Sequence, residues 1–323
     1  LISKEDLEKY TVVEREPIQG DYRGYTVFAM PPPSSGGVHL VQMLNILEGF
    51  SIGEMGHNSS DTIHVMSEAM KRAYADRSKF LGDPDFNRLP IKQLLSKDYA
   101  EKQREGVGIE KITPSSAIQP GEPVAYIDQP ETTQFTVMDR YGNIVSNTYT
   151  LNFSFGNAQV VPGTGILLNN EMDDFSAKPG AVNAYGLIGG ELNSIEPEKR
   201  MLSSMTPTII LKDGKPFLAT GSPGGSRIIT TVLQIIMNVI DHKMSVAEAT
   251  AALRVHHQWF PDKLRIEDGL NKDTQTLLKL KGHSLSVGRA MGATQTIMFK
   301  DGLFYGATDP RRSTGAVVGV TLR

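Results

Sequence analysis

The sequence predicts an α+β fold in which helices cover antiparallel sheets. Two observations carry this: three pairs of β-rich runs are each closed by a hairpin turn signal, and segments with helical spacing are grouped between those pairs. Taken in order, Ser3 with Asp6 has the form of a capping box and opens a short helix through Leu7 and Tyr10. A strand follows over residues 25–30. Pro31-Pro-Pro-Ser-Ser-Gly-Gly37 is a turn leading into a helix over 38–47, and Ile63, Met66, Met70 and Ala73 recur at helical spacing within 61–81, so two packed helices are expected. Residues 113–130 carry four prolines and little periodicity, an exposed and mobile linker that ends at Glu131-Thr132.

Beyond the linker, runs 134–139 and 144–151 flank Arg140-Tyr-Gly-Asn143, the first hairpin. The second joins 208–211 to 217–220 through Asp213-Gly214, and the third joins 295–299 to 303–306 through Asp301-Gly302. Helical patterns over 227–241, 246–253 and 272–280 lie between the last two.

Composition narrows the function. With 323 residues, 39% of them apolar, the chain can bury a substantial core as one large domain or two small ones. A formal charge of -3 with scattered Lys and Arg offers no basic field, so no nucleic-acid partner is expected. The longest apolar run, 228–240, is broken by Thr230, Thr231, Gln234 and Asn238 and falls short of the ~20 residues that span a bilayer, so no membrane partner is expected either. Zero cysteines exclude disulfides, thiolate catalysis and Cys-based metal sites, and leave the compartment open. The chain opens on Leu1 without an initiator Met or a charged-then-apolar leader, and a preceding segment is expected.

Several residues stand where chemistry is possible. Thr132 and Thr133 lie between a Pro-rich linker and a strand; they either begin that strand or, once a free amine exists on Thr132 to act as base, supply a hydroxyl nucleophile. Gly221-Ser-Pro-Gly-Gly-Ser-Arg227 joins a strand to a helix, either as a plain turn or as a cradle whose N–H groups face an anion. It lacks the Lys of a phosphate-binding loop and the spacing of a GxSxG elbow. Asn169-Asn-Glu-Met-Asp-Asp174 is a solvated loop or an ammonium site, and lacks the spacing of a calcium loop. Ser203-Ser204 is turn chemistry or a pair of donors for a carboxylate. His256-His257 and Trp259 read as packed, hydrogen-bonded structure, and neither metal nor cofactor is expected.

Together and in this order, these motifs resemble the gamma-glutamyltranspeptidase family. The resemblance rests on Pro31-Pro-Pro-Ser-Ser-Gly-Gly37, Tyr74-Ala-Asp-Arg-Ser78, Leu81-Gly-Asp-Pro-Asp85, Thr132-Thr133, Leu167-Leu-Asn-Asn170, Met172-Asp-Asp-Phe-Ser176, Leu202-Ser-Ser-Met205 and Gly221-Ser-Pro-Gly-Gly-Ser-Arg227. It covers essentially the whole chain, through His256-His-Gln-Trp259 to Asp309-Pro-Arg311.

The resemblance implies a four-layer αββα sandwich of the N-terminal-nucleophile hydrolase type. It implies a precursor that cuts itself between Glu131 and Thr132 into large and small subunits that stay associated. Residues 1–131 would be the C-terminal part of the large subunit, ending in linker 113–131, and 132–323 the small catalytic subunit. Thr132 would be the nucleophile, its own amine the base, Thr150 its orienting partner, and Gly224 and Gly225 the oxyanion hole. Asn152, Glu171 and Asp174 would hold the substrate ammonium, Ser203 and Ser204 its carboxylate, and Tyr185 would cover the pocket. Implied donors are glutathione and other gamma-glutamyl compounds; implied acceptors are water, amino acids or peptides. Family members are exported in bacteria, which implies a periplasmic or secreted protein.

Three departures from the family pattern stand out. Gln134 replaces a common His after Thr-Thr, and Met201 replaces a proline before Leu-Ser-Ser. The family's large subunit also extends far ahead of the position of Leu1 and includes an arginine for the substrate carboxylate. Two other readings remain: a related acylase acting on glutaryl or polyglutamate substrates, and a non-catalytic or uncleaved chain with a structural or binding role.

Overall fold

The computed structural model describes residues 2–118 and 132–320. The helices are α1 (Lys4–Lys9), α2 (Gly36–Leu47), α3 (Ile52–Met55), α4 (Ser60–Phe80), α5 (Ile91–Leu94), α6 (Lys97–Glu105), α7 (Ile228–Ile240), α8 (Val246–Ala251) and α9 (Lys272–Leu280). The strands before the linker are β1 (Ile18–Tyr22) and β2 (Tyr25–Ala29). After it come β3 (Thr133–Met138), β4 (Ile144–Tyr149), β5 (Thr208–Lys212), β6 (Lys215–Thr220), β7 (Val255–His256), β8 (Leu264–Glu267), β9 (Leu285–Gly288), β10 (Gln295–Lys300) and β11 (Leu303–Thr308).

The three expected hairpins and the helices between them form where the sequence places them, and the Ser3–Asp6 capping box opens α1. One sheet of six strands runs β1-β2-β5-β6-β10-β11, with every neighbouring pair antiparallel. It draws strands from both sides of residue 131, so the two segments share one sheet. Helices α2 and α7 are buried along their whole length; their polar rows, His39, Gln42 and Asn45 on α2 and Thr230, Gln234 and Asn238 on α7, are buried with hydrogen-bond partners. With α4 they cover one face of the sheet, and Val27, Ile210, Leu218, Leu44, Met70, Val232 and Ile236 belong to one core.

The β3–β4 hairpin lies across the other face. Its inward side is polar and tied down: Thr136 Oγ1 donates to Gln295 O (2.9 Å) and Ser146 Oγ to Thr220 O (2.9 Å). Its outward side bears Phe135, Val137, Val145 and Tyr149, each about half exposed. Helices, six-stranded sheet and stacked hairpin are thus an α, a β and a second β layer of the expected sandwich.

Several elements escaped the sequence reading, among them α3, α5, α6, β1 and the sheet β7-β8-β9. Strand β1 carries Gly20, whose added Cβ would come 2.4 Å from Val41 Cγ1, so the close approach to α2 requires a residue that weakens a strand signal. The sheet β7-β8-β9 begins with a strand of two residues, too short for any periodicity. The linker expectation needs correcting for its first six residues, 113–118, which are docked on the body. The Lys71 ammonium donates to Thr113 O (2.5 Å), Ser115 is buried with its N–H on Asp262 Oδ2 (2.9 Å), and Trp259 Nε1 donates to Ser115 O and Ile118 O. Backbone groups held by buried side chains cannot move freely. The rest of the linker and Glu131 lie outside the described residues.

Candidate active site

Thr132 stands immediately before β3, and only 7% of its surface is exposed. Its Oγ1 donates to Thr150 Oγ1 at 3.4 Å, just past the end of β4, because the hairpin register sets Thr133 opposite Tyr149. Thr150 Oγ1 in turn accepts the Asn152 N–H at 2.8 Å, which fixes its rotamer. Thr132 also lines a cleft of about 340 Å³ with Pro223 and Arg312, and the Arg312 guanidinium reaches Thr132 O at 3.5 Å. Gln134, the departure from the family pattern, is buried in β3 two residues after Thr132. Its amide donates to Phe135 O, Thr136 Oγ1 and Ser146 Oγ and accepts from the Thr148 hydroxyl, so the glutamine fills this place without an orphaned polar atom.

Gly224 and Gly225 form the turn from β6 into α7, with φ of 144° and 53°. Both values lie where a side chain is strained, and such a turn presents N–H groups at a helix start. The turn is held from behind: the Tyr74 hydroxyl of α4 donates to Ser226 O, and Ser226 Oγ to Gln258 Oε1 (2.8 Å).

The acidic segment folds against Asn152 rather than into solvent. Asn170 accepts the Phe153 N–H through its side chain (2.9 Å) and the Asn152 amide through its carbonyl (3.2 Å), while Asn152 takes a φ of 73°, which Asn tolerates. Tyr185 is buried, and its hydroxyl donates to Asn152 O at 2.8 Å. A short 3-10 turn, Glu171–Asp174, then carries two carboxylates into the protein. Burial pushes Glu171 up to about 7. Burial first, and then the neighbouring Glu171 charge, pushes Asp174 up to about 8, against the pull of Arg77. Asn183 Nδ2 donates to Asp174 Oδ1 (3.3 Å), and no cation is bonded to either carboxylate among the described residues. Two acids with little compensation are what a cationic ligand would stabilise.

At Ser203 and Ser204 the backbone is clamped by the Pro/Ser turn. Ser203 N donates to Pro33 O (2.9 Å), Ser35 N and Oγ both donate to Ser203 O, and Ser34 Oγ donates to Met205 O (2.7 Å). Gly36 is required here, since a Cβ would sit 2.3 Å from Met205 O. Met201 is half-buried, and the next residue is fixed by Leu202 N donating to Asn193 Oδ1 (2.9 Å).

One residue was missed by the sequence reading as a site component. Arg77, 4% exposed, donates through Nη2 to Ser204 Oγ (3.3 Å) and Leu202 O (3.2 Å), and through Nε to Ser35 Oγ (3.0 Å). It lines a small cavity of about 70 Å³ together with Asp174. The signal was available: Arg77 continues the buried stripe Ile63, Met66, Met70, Ala73 at helical spacing, where a cation needs a reason to be. The structure therefore links Thr132 to Asn152 through Thr150, and Asn152 to Tyr185 and to Asn170, the residue before Glu171. Asp174 lines a separate small cavity with Arg77, which holds Ser204, while Gly224 and Gly225 follow Pro223 of the Thr132 cleft.

A layer of helices on stacked sheets, with a threonine at the head of a strand, is the arrangement of the N-terminal-nucleophile hydrolases. The gamma-glutamyltranspeptidase family model matches residues 1–319, and the chain belongs to that family. It is 57% identical over 312 residues to the glutathione hydrolase proenzyme of Escherichia coli strain K12, covering 96% of this chain and 54% of that protein. Among solved structures, a mutant of Helicobacter pylori gamma-glutamyltranspeptidase matches at 55% identity and a TM-score of 0.55, covering 56% of this chain and all of that one. A cephalosporin acylase from Bacillus halodurans matches at 31% identity and a TM-score of 0.82, over 96% of this chain and 54% of that one. The chain spans about half the length of the curated relatives it matches. Among the described residues no helix is long and apolar enough to cross a membrane.

Proposed function

We propose that this chain carries the catalytic half of a gamma-glutamyl hydrolase and transferase, and that Thr132 is its nucleophile after self-cleavage between Glu131 and Thr132. The observation that carries the reading is the buried Thr132 hydroxyl on Thr150 Oγ1, at the head of the hairpin that leads to the carboxylates Glu171 and Asp174. Cleavage would proceed by attack of Thr132 Oγ1 on the Glu131 carbonyl, an N-to-O acyl shift, and hydrolysis of the ester. The freed amine would then take the hydroxyl proton during attack on a gamma-glutamyl amide and return it to the leaving amine. N–H groups of Gly224 and Gly225 would stabilise the oxyanion, each such donor being worth about 3 kcal/mol. Water, an amino acid or a peptide would release the glutamyl group. Residues 1–131 and 132–323 would remain joined through the shared sheet, in a periplasmic or secreted protein completed by the further half that its relatives possess.

The acidic end favours gamma-glutamyl over glutaryl donors, since only the former bring an ammonium to Asp174. The test is hydrolysis of a gamma-glutamyl anilide by the full-length protein. Aniline release that disappears in T132A, together with little turnover of the glutaryl anilide, is the expected result. Equal turnover of the glutaryl donor would move the assignment to an acylase, and no turnover of either to a non-catalytic role.

A further inference from the structure

We propose that Arg77 is a positioning residue for the substrate's α-carboxylate, acting through Ser204; the proposal rests on the gamma-glutamyl reading above. A guanidinium has donors only, so the Arg77–Ser204 contact at 3.3 Å occupies the hydroxyl oxygen as acceptor and obliges the Ser204 proton to point elsewhere. Ser203 is in the same state, because its Oγ already accepts the Met205 N–H at 3.1 Å. Both hydroxyl oxygens are therefore acceptors within the protein, and their protons are left as donors. Two O–H donors backed by a buried positive charge suit a carboxylate.

Arg77 also lines the same small cavity as Asp174. Its own position is over-determined: Nε sits on Ser35 Oγ, and Ser35 Oγ passes its proton to Ser203 O, so the turn that clamps the serine pair also clamps the arginine. This is a different residue from the arginine that the family resemblance assigns to the stretch ahead of Leu1. Arg77 stands behind the serine rather than against the substrate.

The experiment compares two donors in the full-length protein carrying R77Q. One is gamma-glutamyl-p-nitroanilide; the other is 4-aminobutyryl-p-nitroanilide, which keeps the ammonium and lacks the α-carboxylate. Charge-assisted hydrogen bonds set the expected scale: kcat/KM for the glutamyl donor falls about 10- to 100-fold, chiefly through KM, while that for the aminobutyryl donor changes less than about threefold. Equal losses on both donors, or no loss on either, would overturn the proposal. R77K and S35A guard against a misfolded R77Q, judged by whether the piece beginning at Thr132 is released. Both are expected to show the same donor-selective loss at smaller size, and donor-independent loss in both overturns it as well. An inactive wild type brings down the gamma-glutamyl reading and this proposal together, whereas an active wild type with donor-independent losses removes only the role of Arg77.

Discussion

The two ends of the proposed substrate site, Glu171 with Asp174 and Ser203 with Ser204, are built differently. Ser203 and Ser204 are held by the 33–36 turn and by Arg77, and every oxygen of the pair already accepts a bond. Glu171 and Asp174 have few compensating partners, Asn183 and the more distant Arg77 among them, and both are raised toward neutrality. One end is finished before substrate arrives; the other holds stress that a cation relieves. Affinity should therefore depend on pH and charge at the acidic end, and on geometry at the serine end.

The largest effect is expected from D174N. Losing one partner of a buried charge pair costs on the order of 4 kcal/mol, so kcat/KM for a gamma-glutamyl anilide should fall about a thousandfold. The same change should raise the thermal midpoint of the unliganded protein at pH 8. The sign follows from linkage: a carboxylate whose folded pKa of about 8 exceeds the ordinary 3.8 is neutral to stability in acid and costs stability as pH rises toward 8. The amide side chain of D174N removes that cost, and unchanged stability with lost activity would break the contrast between the two ends. S203A removes one hydroxyl donor from the finished end, where about 1 kcal/mol, or roughly a fivefold rise in KM, is expected.

The donor KM should fall several-fold from about pH 6 to pH 8 as Glu171 and Asp174 ionise, with kcat followed separately, and E171Q should flatten that slope. A flat KM in the wild type would mean that neither carboxylate meets the ammonium. The smallest effect on chemistry and a clear one on stability is expected from G36A, whose Cβ would meet Met205 O at 2.3 Å; about 1–3 kcal/mol should appear in denaturant unfolding.

Much of this was legible beforehand for a physical reason. Hairpin turns with Asp-Gly and long runs of helical spacing are local signals, and they placed β3 to β6, β10, β11, α2, α4 and α7 within a residue or two. What escaped was non-local. Gly20 is explained only by Val41 of α2, and Arg77 only by Ser35 and Ser204, which lie far away along the chain. The four prolines of 113–130 suggested mobility, and the buried Lys71 and Trp259 that dock residues 113–118 belong to other segments. Candidate site residues were named through family likeness, because a threonine pair or a serine pair alone carries too little information; their roles rest on the experiments above.

The most direct test of the central claim, that Thr132 is a nucleophile freed by self-cleavage, is intact mass with N-terminal sequencing after incubation at neutral pH. The account predicts two pieces, the smaller beginning Thr132-Thr-Gln, and a single uncut chain for T132A. An uncut wild-type chain, or a new terminus at any other residue, would contradict it.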